Sequence, residues 1–208
     1  MPLKRDVLPL LSSLDRVAEL TGAANTVVLA DRRGYNTDVF GITEAFRRHG
    51  VESLDRVHVL GGGATAASAL AAVADLGATR VRFALRDPSK GEPLRELGAA
   101  LSVHVDVVEL GADADGVPDA VISTLPGHSE HSVLISEQVR QRAVLFDVAY
   151  DPWPSALASQ WHGTVISGLD MLTLQALAQV RIFRGGDPST PLPNEPEVLA
   201  AMERAVTP

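Results

Sequence analysis

The chain has 208 residues, of which 46% are hydrophobic and 21% charged, and it contains no cysteine. This length and composition suit one large globular domain or one and a half, and they exclude the disordered and membrane-spanning classes, since no apolar run reaches roughly 18 residues. The lack of cysteine excludes disulfides, thiolate catalysis and Cys-type zinc sites, and no histidine spacing predicts a metal. A formal net charge of −8 argues against nucleic acid or an anionic membrane as partner. Because the start lacks the pattern of a signal peptide, we expect a cytoplasmic location.

The front of the chain begins with an amphipathic pattern. One stripe carries large aliphatic residues: Leu8, Leu11, Leu14 and Val17. The pattern predicts a helix over 6–21, with Pro9 near its first turn and Gly22 at its end. The segment "NTVVLADRRGYNTD" then predicts a strand, a turn and an irregular return, followed by a helix over 38–49 that Gly50 closes.

Short β-branched runs alternate with helical patterns through the rest of the chain. Strands are predicted at 56–60, 80–85, 102–110, 120–124, 143–148 and 164–167. Helices are predicted between them, at 64–76, 89–99, 129–141 and 154–161. This alternation predicts a doubly wound parallel sheet with right-handed crossovers over 51–185. A loop over 185–196 and a last short helix over 195–205 complete the chain.

The strongest local signal is the glycine-rich run in "VHVLGGGATAASALAAVADLG". Gly61, Gly63 and Ala66 have the G-x-G-x-x-G/A spacing, directly after a predicted strand and at the start of a helix. In that context the first glycine permits a tight turn, the second lets the backbone approach a pyrophosphate, and the amides of the helix bind the anion. The alternative is a loop that only turns a corner.

The end of the next strand bears on which dinucleotide binds. NAD sites place an acidic residue there for the ribose diol, whereas NADP sites place an arginine for the 2′-phosphate. Here Arg86 is followed by Asp87 and, one turn on, by Lys90. The guanidinium of Arg86 favours NADP, because its fork matches phosphate geometry. Asp87 leaves two alternatives open: a ribose acceptor of an NAD enzyme, or the N-terminal acid of the "DPSK" helix.

Five motifs occur in order along the chain: "GAANTVV", "GYNTDVFG", "VLGGGATAA", "DVAYDPWPSAL" and "SGLDMLTLQALAQ". Together they resemble the motifs of the shikimate dehydrogenase family. The resemblance covers the whole chain. It implies an α/β fold, with a doubly wound parallel sheet as a Rossmann-type NADP-binding domain and a truncated α/β substrate-binding domain. Family members begin with a further βα segment, which carries a Ser-x-Ser motif for the substrate carboxylate and a strand ending in Asn-Val-Thr. Neither is present in these 208 residues, and "MPLK" resembles the turn that follows that strand.

The resemblance also implies roles for individual residues. Lys4 and Asp38 would be the catalytic pair. Three residues would contact substrate: Asn25, Gln175 and Tyr150. The cofactor, NADP, would be held by Gly61, Gly62, Gly63, Ala64, Ala66, Arg86, Thr124, Leu125, Gly168 and Met171, with Pro126 beside them. Leu85 and Asp87 depart from the family's Asn-Arg-Thr motif, which keeps its arginine at Arg86.

The chemistry of these side chains suits those roles. Reduction of a ring ketone leaves charge on oxygen, so a cation or proton donor is needed there, and a lysine beside an aspartate supplies it without a metal. An asparagine offers both donor and acceptor to vicinal hydroxyls. Each residue also has an ordinary alternative: Lys4 as a solvated charge, Asp38 as a helix N-cap, Gln175 as a polar helix position, and Met171 as core.

Three functions remain open at this point. The first is an NADP-dependent shikimate dehydrogenase of aromatic amino-acid biosynthesis. Its activity would be impaired because the front segment is missing, and an internal Met taken as the start would explain that absence. The second is a nucleotide-binding remnant without catalysis, and the third an NAD-dependent quinate or shikimate dehydrogenase. We expect three parts: 1–50 from the substrate-binding domain, 51–185 for the cofactor, and 186–208 returning to the substrate domain. The partner is a small molecule, shikimate or 3-dehydroshikimate, and the sequence leaves homodimer formation open.

Overall fold

Two β-sheets organise the chain in a computed structural model that describes residues 3–112, 116–126 and 135–206. The strands are β1 Ser13–Leu14, β2 Thr26–Val28, β3 Arg33–Tyr35, β4 Arg56–Leu60, β5 Arg80–Leu85, β6 His104–Glu109, β7 Ala120–Ser123, β8 Val144–Asp147 and β9 Val165–Ser167. The helices are α1 Leu3–Asp6, α2 Arg16–Thr21, α3 Asp38–Arg48, α4 Ala64–Asp75, α5 Glu92–Ala100, α6 Glu137–Arg142, α7 Gly168–Gly185 and α8 Glu195–Val206.

The larger sheet has six parallel strands in the order β6-β5-β4-β7-β8-β9. Each predicted strand of this sheet is confirmed, and the order reverses between β4 and β7. In an open parallel sheet, that reversal leaves a crevice at the carboxyl ends of the two strands, which is where ligands bind. The doubly wound fold class is therefore confirmed, and its crevice lies beyond Leu60 and Ser123.

Helices α3, α4, α5 and α7 bury one face of this sheet. The core that they share includes fully buried aromatic side chains, and Phe46 of α3 meets Phe146 of β8 at 5.1 Å between ring centroids. Helix α3 therefore begins near the small sheet and packs on the large one. This places its first residue, Asp38, between the two sheets.

The small sheet has the order β1-β3-β2 and contradicts the prediction of one continuous helix over 6–21. The chain instead passes through α1, a 3-10 turn at Leu8–Leu10 that contains Pro9, the strand β1, and then α2. Local periodicity fails here because a distant strand competes for the backbone: Asp15 N–H donates to the Gly34 carbonyl at 2.8 Å. Helix α2 then starts under the Asp15 carboxylate, which accepts from Ala18 N–H.

Each of the four residues of the predicted aliphatic stripe is partly buried: Leu8, Leu11, Leu14 and Val17. Strongly exposed large aliphatic side chains occur elsewhere in this region, at Leu3, Leu10 and Leu29. Among the described residues, no helix is both long enough and apolar enough to cross a membrane.

Two further helix predictions need correction. Over 154–161 the structure has only a 3-10 turn, Ala158–Gln160, because the next residues bend away so that the amides of His162 and Gly163 donate to the Arg140 carbonyl. Over 89–99 a 3-10 turn at Pro88–Gly91 precedes α5. The helix predicted over 129–141 lies partly outside the described residues; within its described part, α6 begins at Glu137, with Ser136 as N-cap.

Helices α7 and α8 close the chain against α3. Arg181 of α7 is buried and donates to both carboxylate oxygens of Glu195, at 2.7 and 2.5 Å, and to the Pro188 carbonyl. Its guanidinium also lies over the Phe40 ring, 4.7 Å from the centroid. This contact fixes the start of α8 to the end of α7.

Candidate active site

Lys4 and Asp38 form an ion pair in the structure. Lys4 Nζ lies 2.5 Å from Asp38 Oδ2, although 34 residues separate them. The Asp38 side chain is 1% exposed and that of Lys4 22%, so the carboxylate is enclosed and the ammonium reaches the surface of a cleft. Asp38 is the first residue of α3 and not its N-cap, which is Thr37, and the helix dipole favours a carboxylate at this position.

The backbone around Lys4 is also held. The Lys4 carbonyl accepts from Ala24 N–H at 2.9 Å, which fixes α1 beside the segment that leads into β2. Lys4 is thus tethered at its backbone and at its ammonium group. Such double attachment is what a positioned proton donor requires.

Asn25 lies at the centre of a polar network that includes the Asp38 carboxylate. Its Nδ2 is 2.7 Å from Asp38 Oδ1, 3.0 Å from Thr37 Oγ1 and 2.9 Å from Gln175 Oε1. Its Oδ1 accepts from Thr37 N–H and Thr26 Oγ1. Because an amide nitrogen has two hydrogens and here faces three acceptors, a substrate hydroxyl can replace one contact without leaving a buried donor unpaired. Gln175, on α7, is brought to this point from 150 residues away.

The glycine-rich loop lies at the crevice of the large sheet. Gly61 has a φ of +105°, and a Cβ there would lie 2.4 Å from Thr124 Oγ1, so this position requires glycine. Thr124, at the end of β7, donates its hydroxyl to the Leu60 carbonyl at 2.8 Å. The two strand ends on either side of the crevice are thus in direct contact.

A cleft of about 420 Å³ connects this loop to Lys4. Three segments of the large-sheet part line it: 63–65, 124–126 and 148–151. Of the predicted site residues, the cleft brings together Lys4, Gly63, Ala64, Thr124, Leu125 and Tyr150. Pro126 lines it as well, and Tyr150 is half exposed.

Other predicted cofactor residues lie away from the cleft surface. Ala66 is fully buried in α4, where its small side chain permits close packing, and Gly62 faces Leu85. Gly168 packs on the Val148 carbonyl so closely that any Cβ would clash. Met171 is 7% exposed and belongs to the core, in agreement with the alternative interpretation of this residue as an ordinary core methionine.

Arg86 and Asp87 directly follow β5, whose last residue, Leu85, faces Gly62 of the glycine-rich loop. Arg86 is exposed and makes no side-chain hydrogen bond or ion pair within the described residues. Asp87 caps the 3-10 turn, with its carboxylate accepting from Ser89 N–H and Ser89 Oγ, and Lys90 lies 3.5 Å away. The Ser89 hydroxyl hydrogen bond is the largest of the effects that lower the pKa of Asp87. Asp87 is therefore the N-cap of its turn, in agreement with one of the two alternatives, and the pairing of Arg86 with a phosphate stays a prediction.

Several residues of the site were not singled out from the sequence. Thr37 and Thr65 have no motif of their own beyond the quoted "GYNTD" and "GGGATA" runs. Asp147, at the end of β8, accepts from Ser155 Oγ at 2.5 Å and from Ala149 N–H at 3.1 Å, directly before the segment that lines the cleft. Burial raises the pKa of the Asp147 carboxyl. An acid at the end of a predicted strand, followed by "VAYDPWPS", was the available signal.

The residues present fit a dinucleotide at this site. No described side chain caps the first turn of α4, so its amides face the cleft without a protein anion. A Cβ added at Gly63 would meet no described atom within 4 Å, which leaves open space for a phosphate against the backbone. No group of three His, Asp or Glu side chains in the described residues could hold a metal ion.

A parallel sheet with an anion-binding loop at its order reversal, and a lysine–aspartate pair at the same cleft, define a dinucleotide-dependent oxidoreductase. The chain is 30% identical over 192 residues to the NADP⁺ shikimate dehydrogenase of Aeropyrum pernix, matching 88% of this chain and 70% of that protein. It is also 29% identical to a stretch that makes up 13% of the pentafunctional AROM polypeptide of Yarrowia lipolytica, matching 89% of this chain. The crystal structure of Mycobacterium tuberculosis shikimate dehydrogenase superposes with a TM-score of 0.83 at 32% identity, covering 99% of this chain and 76% of that one. No family model matches the chain.

The chain therefore belongs to the shikimate dehydrogenase family. It spans about 70% of the length of the Aeropyrum pernix enzyme and 76% of the Mycobacterium tuberculosis chain in the crystal structure. The resemblance in the five motifs is confirmed by these comparisons.

Proposed function

We propose that this chain carries out the NADP-dependent, reversible reduction of 3-dehydroshikimate to shikimate, a step of aromatic amino-acid biosynthesis. The observation that carries the proposal is that Lys4, paired with the buried Asp38, lines the same cleft as Gly63 and Ala64 of the glycine-rich loop. Acid–base chemistry and nucleotide binding thus share one cavity. A cytoplasmic location and a homodimer stay predictions.

In this proposal Lys4 acts at the carbonyl oxygen of the substrate. Its ammonium donates a hydrogen bond to the oxygen as negative charge develops there, and then a proton. Asp38 orients the ammonium and compensates its charge inside the enclosed site. Asn25 and Gln175 bind the ring hydroxyls next to the reacting carbon, and Tyr150 borders the ring.

The nucleotide is bound by backbone and by one cation. The segment Gly61, Gly62 and Gly63 with Ala64 receives the pyrophosphate, Thr124 and Leu125 line the trough, and Arg86 pairs with the 2′-phosphate. Ala66, Gly168 and Met171 are buried and support the site by close packing. When bound, the nicotinamide supplies or accepts the hydride.

Two measurements on the purified 208-residue chain test the proposal. The first is NADP⁺ binding by calorimetry, and the second is NADPH formation from shikimate and NADP⁺. The matched comparison is the same chain preceded by the N-terminal segment of the M. tuberculosis relative. We expect NADP⁺ binding in both forms and a higher turnover in the longer one, because the serine hydroxyls for the substrate carboxylate lie in that segment in the family.

The outcomes separate the functions left open above. Binding without turnover in both forms would favour a nucleotide-binding remnant. Preference for NAD⁺ over NADP⁺ would favour the quinate or shikimate dehydrogenase that uses NAD, and absence of any nucleotide binding would overturn the proposal.

A further inference from the structure

A buried asparagine joins the catalytic aspartate to the helix of the glycine-rich loop. Asn36 is 5% exposed and lies two residues before Asp38. Its Oδ1 accepts from Asp38 N–H at 3.1 Å, and its Nδ2 donates to Thr21 Oγ1 at 2.8 Å and to Ser68 Oγ at 3.0 Å. Both hydrogens of the amide are thus used, and they bind two different helices.

The contact with Ser68 leads directly to the nucleotide site. Ser68 is fully buried in α4, and its hydroxyl donates to the Ala64 carbonyl at 3.2 Å. Ala64 is the first residue of α4 and lines the cleft. A continuous set of contacts therefore runs from Ala64 through Ser68 and Asn36 to the backbone amide of Asp38.

We propose that Asn36 is a positioning residue that couples nucleotide binding at the start of α4 to the placement of Asp38. The inference rests on the proposed function. Hydride transfer requires the substrate, held from the small-sheet side, and the nucleotide, held from the large-sheet side, to meet within about an ångström of the productive geometry. Asn36 fixes the first turn of α3 to α4 by hydrogen bonds whose buried polar atoms have to stay paired.

The contact with Thr21 supplies a matched control. Thr21 is 6% exposed and accepts the other hydrogen of the same amide, but it belongs to α2, which contributes no residue to the cleft lining. Thr21→Val and Ser68→Ala each leave one buried N–H of Asn36 without an acceptor, so they should lower thermal stability by similar amounts. Only Ser68→Ala interrupts the connection to α4.

The test measures hydrogen exchange of the Asp38 amide by NMR, with and without saturating NADP⁺, in the parent chain and in Asn36→Leu, Ser68→Ala and Thr21→Val. In the parent and Thr21→Val, NADP⁺ should slow this exchange about tenfold, within the range of ordinary coupling free energies. In Asn36→Leu and Ser68→Ala the slowing should fall below about twofold, while calorimetry shows that NADP⁺ still binds. Ser68→Ala keeps the test valid if Asn36→Leu does not fold.

The outcomes distinguish this inference from the proposed function. Equal slowing in Ser68→Ala and the parent, or loss of slowing in Thr21→Val as large as in Ser68→Ala, would overturn the role of Asn36 and leave the dehydrogenase proposal intact. Failure of the parent to bind NADP⁺ would overturn both.

Discussion

Lys4 Nζ and Asp38 Oδ2 lie 2.5 Å apart, on two elements that no local pattern connects. The pair unites a four-residue helix at the start of the chain with the first residue of α3. Because Asn25 binds the second oxygen of the same carboxylate, the ammonium, the amide and the acid form one cluster, which reaches the cleft through Lys4. This relationship sets the first prediction.

Replacing Lys4 should strongly lower the rate of catalysis while leaving nucleotide binding near normal. In the chain extended by the relative's N-terminal segment, Lys4→Met should lower kcat by about 10²–10⁴, the usual contribution of a general acid. The affinity for NADP⁺ should change by less than about twofold, because the ammonium acts on the substrate oxygen. Arg5→Ala, an exposed cation on the same short helix, is the control and should leave kcat unchanged. Unchanged turnover in Lys4→Met would remove the lysine from the mechanism.

Arg86 should account for a preference for NADP over NAD. A charge-assisted contact with the 2′-phosphate contributes about 1.5–3 kcal/mol, so Arg86→Ala should weaken NADPH binding about 10- to 150-fold. NADH binding should stay the same, because that nucleotide lacks the phosphate. Arg95→Ala on α5 removes an exposed cation that pairs with Glu92 and serves as the control for general charge effects. Titration of the parent, Arg86→Ala and Arg95→Ala with each of the two cofactors measures this, and equal NADPH affinity in Arg86→Ala and the parent would contradict it.

The strands of the large sheet could be predicted because each carries a run of β-branched residues with a local burial pattern: β7 is buried throughout, whereas β5 alternates between buried and less buried residues. The glycine loop was predictable for a similar reason, since a positive φ at Gly61 must be met by glycine. The front helix was predicted wrongly because its backbone pairs with Gly34, and a contact with a distant strand leaves no local periodicity. The polar network of the site also depends on contacts between distant parts of the chain, and the sequence alone does not reveal that Gln175 lies next to Asn25.

Assignments that depend on packing were also beyond the sequence. Met171 and Gly168 occur in a motif typical of the family, but only the structure shows that one is core and the other packs on the Val148 carbonyl. The sequence also left Asp87 open as a ribose ligand, and only the structure shows that its carboxylate accepts hydrogen bonds from Ser89.

Acid should release the contact that holds α8. Hydrogen bonds from the Arg181 guanidinium lower the pKa of Glu195 below 4.5. Because the folded-state pKa is the lower one, the stabilisation is complete above about pH 4.5 and is lost as the pH falls through the lowered value. Glu195→Gln should cost about 3 kcal/mol at neutral pH, since it leaves the buried Arg181 without its counter-charge. Urea unfolding across acid pH measures this: the parent should lose stability below pH 4.5 more steeply than the variant, and parallel curves would contradict the assignment.

Gly61 and Gly111 offer a direct test of the nucleotide loop. Both have a positive φ, +105° and +97°, so an alanine at either position adds backbone strain of about 1–2 kcal/mol. They differ in their surroundings: a Cβ at Gly61 would lie 2.4 Å from Thr124 Oγ1, whereas at Gly111 no described atom lies within 4 Å. Gly61→Ala must therefore displace the Thr124 hydroxyl, whose hydrogen bond to the Leu60 carbonyl joins the ends of β4 and β7 where the crevice forms.

We expect Gly111→Ala to lose only the strain energy and to bind NADP⁺ like the parent. Gly61→Ala should lose a further 1–3 kcal/mol or so from overpacking and bind NADP⁺ at least about tenfold more weakly, because the loop amides move with Thr124. Urea unfolding measures the loss of stability, and calorimetric titration measures the affinity for NADP⁺. If Gly61→Ala binds NADP⁺ as tightly as Gly111→Ala does, the loop between β4 and α4 turns a corner only, and the nucleotide site lies elsewhere.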